Sequence, residues 1–346
     1  MIRARGLTKD FVVSRSQTVH AVRGVDLDVA PGELVAVLGP NGAGKTTTMR
    51  MLTSLTRPTA GSAEVAGYDV VARPAQVRRH IGYVGQGNGA GHQQRAADEL
   101  STQGEIYGLT RAAARARTAE LLDALELTDL ARRKVSDLSG GQRRRLDVAL
   151  GLVHAPRLLF LDEPSTGLDP HSRANLWEHI LRLRREHAMT IVLTTHYLDE
   201  ADTMAERVVV VDHGRVIADD TPAALKRDLA GDGVVLRGAA AEDAARLAAL
   251  VERLPGAREV SVDGVQVSAR VADGDRAVVD VVRAADRGGV ALTGARSTTP
   301  TLDDVFLALT GRSLREGPEA TEPGTTESTT DPSTTERDLV ARKDAA

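Results

Sequence analysis

The chain has no cysteine among its 346 residues, and it has only three Phe, four Tyr and one Trp. The absence of cysteine excludes disulfide bonds, zinc sites built from thiolates, and cysteine nucleophiles. It fits a reducing compartment without proving one.

Long hydrophobic runs are also missing. The longest runs, such as residues 158–161 and 208–211, have the length of a strand and fall far short of the roughly 20 residues that span a bilayer. The N-terminus lacks the apolar core of a signal peptide. If the protein works at a membrane, we therefore expect another chain to supply the spans.

No excess of positive charge is present, because the formal net charge is −4. A basic field of the kind that attracts nucleic acid is therefore lacking, and no nucleic-acid partner is expected. The length is sufficient for two modest domains.

A glycine-rich stretch at residues 34–47 carries the main functional signal. It opens as an apolar run typical of a strand, continues as G-x-x-x-x-G-K-[ST], and leads into a predicted helix at residues 46–55. Such a turn can direct backbone N–H groups at a phosphate, and the helix N-terminus adds positive dipole. We predict a nucleoside triphosphate site with Mg²⁺, in which Lys45 reaches the β- and γ-phosphates and Thr46 holds the metal. The candidate nucleotide-binding residues here are Gly39, Pro40, Asn41, Gly42, Ala43, Gly44, Lys45, Thr46 and Thr47. The alternative, a glycine turn before an ordinary helix, leaves the lysine and the two threonines at this spacing unexplained.

Two carboxylates follow a second apolar run, at residues 158–161. An apolar run of this kind fits a buried parallel strand, and function sits at the carboxyl ends of such strands. We predict that Asp162 holds Mg²⁺ through water and that Glu163 polarises the attacking water as general base. The alternative is a pair of acids at an ordinary strand end.

A second anion site is predicted at Leu-Ser-Gly-Gly-Gln, residues 138–142. Ser139 is typical of a helix N-cap, and Gly140 and Gly141 expose the backbone N–H groups of the helix start. One chain rarely needs two γ-phosphate sites for one nucleotide. We therefore expect residues 139–142 (Ser139, Gly140, Gly141 and Gln142) to serve the nucleotide held by a second copy of the protein. The alternative is a capped surface helix.

Three single residues are further candidates. Gln86 heads a glycine-rich segment after a predicted strand and can ligate Mg²⁺ or position water. His196 ends an apolar strand at residues 190–195, which places an imidazole where a γ-phosphate would lie. Phe11 precedes the nucleotide strand and can stack on an adenine ring. Taken alone, each also fits a structural role: polar surface, an incidental histidine and a half-buried strand residue.

Together these elements resemble the ATP-binding subunit of ABC transporters, in the family's order across residues 1–229. Residues 39–46 match the Walker A motif and residues 158–162 match Walker B. Residues 138–142 match the signature motif, and residues 165–169 match the D-loop.

The resemblance also implies roles for single residues. Glu163 matches the catalytic glutamate, Gln86 the Q-loop glutamine and His196 the switch histidine. Phe11 matches the adenine-stacking position, where the family more often has Tyr.

The fold implied is an α/β P-loop NTPase core with a helical subdomain and an antiparallel β subdomain. The implied cofactors are ATP and Mg²⁺. The implied partners are a second copy, in a head-to-tail dimer around two nucleotides, and an integral membrane permease. Such a subunit is peripheral, at the cytoplasmic face of the cell membrane.

A narrower resemblance is to the daunorubicin-resistance type of exporter subunit. It is carried by Arg-Arg-Leu-Asp at residues 144–147 and by the segments at residues 195–202 and 300–311. It implies export of a drug or antibiotic through a separately encoded membrane subunit. The sequence departs from the family after Gln86: members usually have a less glycine-rich stretch ending in Glu-Asn-Leu, and here Ala-Asp-Glu-Leu stands at residues 97–100. That stretch faces the membrane partner in the family.

Three regions are predicted along the chain. An ABC ATP-binding domain is expected at residues 1–230, with its helical subdomain at about residues 87–155. A small α+β domain at residues 231–312 has a predicted β-α-β-β-α-β order followed by a helix at residues 302–309, and we expect a regulatory or self-association module. The tail at residues 313–346, rich in Thr, Glu, Ser and Pro, is expected to be disordered.

Several other functions compete with drug export. One is export of a lipid or polysaccharide, and another is a soluble ABC ATPase that acts on DNA or ribosomes. DNA-repair members separate the Walker motifs by a long coiled coil, whereas here about 115 residues intervene without sustained heptads. Ribosome-acting members usually carry two ATPase cassettes per chain, and one is present here. A P-loop kinase or transferase would leave residues 138–142 unexplained.

Overall fold

The computed structural model describes residues 1–14, 17–87 and 89–311. In chain order its strands are β1 (Ile2–Ser14), β2 (Gln17–Val29), β3 (Leu34–Leu38), β4 (Ala60–Val65), β5 (Tyr68–Asp69), β6 (Ile81–Val84), β7 (Leu158–Asp162), β8 (Thr190–Thr195), β9 (Arg207–Asp212), β10 (Arg215–Asp220), β11 (Asp232–Gly238), β12 (Arg258–Asp263), β13 (Gln266–Val271) and β14 (Leu292–Thr298). The helices are α1 (Lys45–Leu52), α2 (Pro74–His80), α3 (Ala96–Ile106), α4 (Arg111–Ala124), α5 (Gly140–Leu152), α6 (Pro170–His187), α7 (Leu198–Met204), α8 (Pro222–Leu225), α9 (Ala241–Val251), α10 (Gly274–Arg287) and α11 (Leu302–Thr310).

A six-stranded sheet, in the order β10-β9-β3-β8-β7-β6, forms the centre of the fold. All of its pairs are parallel except β9 with β10. Every residue of β3, β7 and β8 is buried. This is why these strands read as continuous apolar runs, since both faces of a parallel sheet are covered. The carboxyl ends of β3, β7 and β8 therefore meet at one edge, where a functional site is expected.

An antiparallel sheet, in the order β2-β1-β4-β5, covers one face of the central sheet. Its β1–β2 ladder continues to the pair Ser14 and Gln17. The outer part of this hairpin is exposed and so lacks the apolar alternation that marks a half-buried strand.

The other face of the central sheet packs against helices, in a core that includes Leu146 of α5 and Trp177 of α6. Helices α3, α4 and α5 contact one another and form the helical region that the sequence predicted. Among the described residues no helix combines the length and the apolar character that a membrane crossing requires.

A third sheet, in the order β12-β13-β11-β14, is antiparallel throughout. Helices α9 and α10 cover one of its faces in a separate apolar cluster. The β-α-β-β-α-β order of residues 232–298 is the order expected from the sequence.

Helix α11 lies within the small domain predicted at residues 231–312 but packs away from the third sheet. Its buried residues Leu302, Val305 and Phe306 belong to the apolar core that contains Trp177 and Leu198, not to the cluster of the third sheet. Helix α11 packs there because its apolar face is buried against helices of the first domain, α7 and α8. The predicted disordered tail at residues 313–346 lies outside the described residues.

Candidate nucleotide-binding site

The glycine-rich turn at residues 39–44 joins β3 to α1 at the expected edge of the central sheet. Two of its glycines are required by the geometry. A Cβ at Gly39 would lie 2.1 Å from Val211 O, and a Cβ at Gly44 would lie 2.4 Å from Ala21 O. Gly44 also has φ +101°, which L side chains rarely adopt. The turn is therefore tightly enclosed by the strands beside it, as a preformed anion cradle must be.

Lys45 lies inside this turn, with only 5% of its surface exposed. Its Nζ donates hydrogen bonds to Gly39 O at 2.6 Å and to Pro40 O at 3.0 Å. Burial lowers the pKa of Lys45, while the nearby charges of Glu163 and Asp162 act to raise it. An anion in the turn would therefore supply the charge partner that a buried ammonium needs.

The three predicted metal ligands converge beside Lys45. Thr46 Oγ1 lies 3.0 Å from Asp162 Oδ1, and Gln86 Nε2 lies 3.3 Å from Thr46 Oγ1. Rotation of the Gln86 amide would present its oxygen at the same place. A hydroxyl, a carboxylate and an amide oxygen form a hard-oxygen set, and they leave room for the water and phosphate ligands that Mg²⁺ retains. The donor set therefore fits Mg²⁺.

Two polar residues that the sequence did not single out complete the environment of Asp162. Thr194 Oγ1 donates to Asp162 Oδ1 at 2.6 Å, and Tyr83 OH donates to Asp162 Oδ2 at 3.3 Å. Both residues lie near the carboxyl ends of strands that flank β7. Their position at neighbouring strand ends was the available signal, but neither residue belongs to a motif.

Glu163 adopts a left-handed backbone conformation, with φ +49°. This region is sparsely populated by residues other than glycine and persists only where the surroundings hold it. Its N–H donates to Thr194 at 3.1 Å, to both the carbonyl oxygen and Oγ1. Thr166 Oγ1 donates to Glu163 Oε2 at 3.2 Å. Such strain at a carboxylate is typical of a functional position.

His196 follows β8 and brings Nδ1 to 3.4 Å from Glu163 Oε2. A buried network orders the backbone that follows. Thr195 Oγ1 donates to Glu200 Oε2 at 2.9 Å and accepts from Tyr197 N at 2.9 Å. The predicted base and the predicted switch histidine are thus in direct contact.

The segment at residues 138–142 forms the capped helix start that was expected. Gln142 N donates to Ser139 Oγ at 3.3 Å, and Ser139 N donates to Gln142 Oε1 at 3.0 Å. Ser139 and Gly140 are exposed. Within the described ranges no hydrogen bond joins residues 139–142 to the turn at residues 39–44. The second anion site predicted at residues 138–142 is therefore separate from the chain's own Lys45.

Phe11 lies on the exposed part of the β1–β2 hairpin, with 42% of its surface accessible. It pairs with Val19 across the ladder, and Lys9 Nζ lies 5.0 Å from its ring centroid. The same hairpin contacts the turn at residues 39–44 through Ala21, whose carbonyl oxygen packs on Gly44. The ring is accessible for stacking, and its role in adenine binding stays a prediction.

Comparison with known proteins identifies the family. A family model described as "ABC transporter" matches residues 22–166. A daunorubicin resistance ATP-binding protein from Streptomyces coeruleorubidus is 44% identical over 312 residues, which are 89% of this chain and 97% of that protein. The chain belongs to the ATP-binding proteins of ABC transporters. The resemblance noted from the motifs is thereby confirmed, and this ABC ATP-binding protein is an ATPase.

Two further similarities support this conclusion. A doxorubicin resistance ATP-binding protein from Mycobacterium tuberculosis is 42% identical over 84% of this chain and 89% of its own length. A solved dimeric structure of an ATP-binding cassette, in a post-hydrolysis state with ADP and Pi, superimposes with a TM-score of 0.59 at 25% identity. It covers 64% of this chain and 98% of that cassette. The predicted fold class is confirmed, whereas the role of each site residue stays a prediction.

Proposed function

We propose that this ABC ATP-binding protein energises an exporter that expels a drug-like or antibiotic-like molecule through a separate membrane subunit. The main support is the 42–44% identity, over most of the chain, to proteins named for daunorubicin and doxorubicin resistance. In this proposal the protein is peripheral at the cytoplasmic face of the membrane.

ATP is held at the turn of residues 39–44, with the triphosphate against Lys45 and the helix start of α1. The observation that carries this assignment is the buried Lys45 ammonium, whose contacts are two carbonyl oxygens of the turn itself. Thr46, Asp162 and Gln86 hold Mg²⁺, which neutralises phosphate charge when it is bound. Phe11 stacks on the adenine.

Glu163 acts as the general base that takes a proton from the attacking water. Its carboxylate lies at the same sheet edge as Asp162, and its left-handed backbone sets the direction in which the side chain leaves the strand. His196 Nδ1, 3.4 Å from Glu163 Oε2, stabilises the base and would lie beside the γ-phosphate of bound ATP. In this proposal Lys45 binds the triphosphate, Glu163 transfers the proton and His196 orients the base.

A second copy completes each site. Ser139 and the following glycines present a helix N-terminus. In the described part of the chain, the hydrogen bonds of the Ser139 and Gln142 side chains join these two residues to each other. We infer a head-to-tail dimer in which this helix start caps the nucleotide held by Lys45 of the other copy. The dimeric cassette with ADP and Pi is a structural precedent for such an assembly.

The glycine-rich segment at residues 85–91 is the proposed contact with the membrane subunit. It borders a cavity of about 270 Å³ whose lining includes Leu55, Tyr83 and Tyr107. The lining also contains charged side chains, among them Arg78 and Glu99, and a cavity of this mixed character can receive a short element of a partner. Opening and closing of the dimer would then act on the membrane subunit through this segment.

Transport in inverted membrane vesicles tests the exporter function. The vesicles contain this chain co-expressed with a candidate membrane subunit, and daunorubicin fluorescence reports uptake. We expect ATP-dependent uptake that is lost with the Glu163→Gln variant. Equal uptake with the wild type, the variant and empty vesicles would exclude this cargo class.

A further inference from the structure

Arg144, on the first turns of α5, connects two segments that are distant in sequence. Only 8% of its surface is exposed. Its Nε donates to Pro164 O at 2.6 Å, and its Nη1 donates to Gly85 O at 2.7 Å. Its Nη2 lies 3.3 Å from the carbonyl oxygens of both Asp162 and Glu163. One guanidinium therefore contacts three consecutive carbonyl groups around Glu163 and one carbonyl group beside Gln86.

The conformation of Glu163 explains why these contacts matter. A left-handed backbone conformation is unfavourable for a residue other than glycine and needs surrounding contacts that favour it. Thr194 holds the N–H of Glu163. Arg144 acts on the other side, at the carbonyl groups of residues 162–164. The planar fork of an arginine can satisfy several fixed acceptors at once, which a lysine ammonium does less well.

Asp147, one turn later on α5, holds the segment that follows Gln86. Its Oδ1 accepts from Gly89 N at 2.9 Å and from Ala90 N at 3.2 Å. Its Oδ2 lies 4.0 Å from Arg144 Nη1. A Cβ at Gly89 would lie 3.3 Å from Asp147 Oδ1, which is close packing at this position. Arg144 thus contacts Gly85, and Asp147 contacts Gly89 and Ala90.

We propose that Arg144 is a positioning residue for Glu163: its guanidinium holds the carbonyl groups of residues 162–164 and so fixes the direction in which the Glu163 carboxylate leaves the strand. Asp147 fixes the backbone of Gly89 and Ala90 beside it. The inference rests on the proposed role of Glu163 as general base.

Steady-state ATP hydrolysis by the full chain tests the part played by Arg144. In Arg144→Ala we expect kcat to fall by about 10-fold or more and KM to change by less than about threefold, because a misplaced base slows the reaction without touching the nucleotide. Arg144→Lys retains one cation and should give an intermediate kcat. Arg115→Ala is the control, since Arg115 is exposed on α4 and forms no ion pair among the described residues. A kcat of Arg144→Ala within about twofold of the control would overturn the inference, and so would a rise in KM that accounts for the whole loss.

Hydrogen–deuterium exchange tests the part played by Asp147 independently of activity. Asp147→Asn keeps an oxygen acceptor for Gly89 N and Ala90 N, whereas Asp147→Ala removes it. We expect these two amides to exchange about 10-fold faster in Asp147→Ala and nearly as in the wild type in Asp147→Asn. Equal exchange in the two variants would overturn the loop contact. Because Asp147→Asn and Arg144→Lys conserve size, they also serve where the alanine variants do not fold.

Measuring Glu163→Gln in parallel separates this inference from the proposed function. If Glu163→Gln is inactive while Arg144→Ala hydrolyses ATP normally, only the positioning role fails. If Glu163→Gln is as active as the wild type, the assignment of the base fails, and the positioning role fails with it.

Discussion

The Nδ1 atom of His196 lies 3.4 Å from Oε2 of Glu163. These residues end neighbouring strands: Glu163 follows β7, His196 follows β8, and the two strands are paired in parallel. The sheet therefore brings a base and an imidazole together at the edge where Lys45 and Asp162 also lie. The following predictions depend on this arrangement and on the packing around it.

Replacing Glu163 by Gln keeps the shape of the side chain but removes the group that accepts a proton. We expect ATP binding to persist and turnover to fall by about 10² or more, the lower end for a lost general base. Phosphate release and equilibrium binding of a fluorescent ATP analogue measure the two quantities. Glu186→Gln is the matched control, because Glu186 is exposed and lies at the far end of α6. Wild-type turnover of Glu163→Gln would exclude the base role.

Mixing two inactive variants tests the composite site. Lys45→Ala should weaken nucleotide binding, and Ser139→Asp keeps a good N-cap residue but places a carboxylate against the triphosphate of the other copy. In a mixed dimer one site contains an intact Lys45 and an intact Ser139. We expect an equal mixture to recover roughly a quarter of the wild-type rate, since half of the dimers carry one intact site. Each variant mixed with itself is the control.

A different result would contradict the composite site. If Ser139→Asp alone hydrolyses ATP at the wild-type rate, the helix start at residue 139 does not face a nucleotide. The same conclusion follows if the isolated monomer is fully active.

His154 predicts a pH dependence of stability. Its Nε2–H donates to Ile81 O at 2.9 Å, its ring stacks on Tyr107 with centroids 3.9 Å apart, and its buried Nδ1 has no hydrogen-bond partner in the described part of the chain. Burial, with smaller effects from Arg117 and His80, lowers the pKa of His154 below its usual 6.5. As the pH falls through 6.5 the unfolded chain binds this proton first, so acid destabilises the native state.

His154→Gln should therefore lose part of this acid sensitivity, because its amide can still donate to Ile81 O but does not titrate. Thermal melting at about pH 7.5 and about pH 5.5 measures the effect. We expect a smaller decrease in Tm for the variant than for the wild type, and the other histidines cancel in this comparison. Identical decreases would show that His154 makes no contribution.

Phe306 tests the packing of α11 on the first domain. Its side chain is 2% exposed, within the core that includes Trp177. We expect Phe306→Ala to lower the free energy of unfolding by about 3–5 kcal/mol, the usual cost of truncating a buried phenylalanine. Leu307→Ala, on the same helix but 46% exposed, is the control and should cost much less. Urea denaturation followed by the fluorescence of Trp177 reports the transition. Equal losses for the two variants would mean that α11 does not support this core in solution.

The sequence by itself determined the chemistry of the candidate site and the order of most elements. The reason is that these features are local: glycines in the turn at residues 39–44, a capping serine at residue 139 and carboxylates after an apolar strand. Parallel strands then align their carboxyl ends, so residues that follow β3, β7 and β8 meet without further information.

Only the tertiary structure shows which side chains position the carboxylates of the candidate site. Arg144 finds its acceptors 59 and 20 residues away in sequence, at Gly85 and Pro164, so no spacing could have indicated them. Thr194 likewise reaches Asp162 from a neighbouring strand, and α11 packs against α7 and α8 rather than against the third sheet. Such contacts depend on how the layers pack, because burial and hydrogen-bond geometry between distant segments are set only when the whole core has formed.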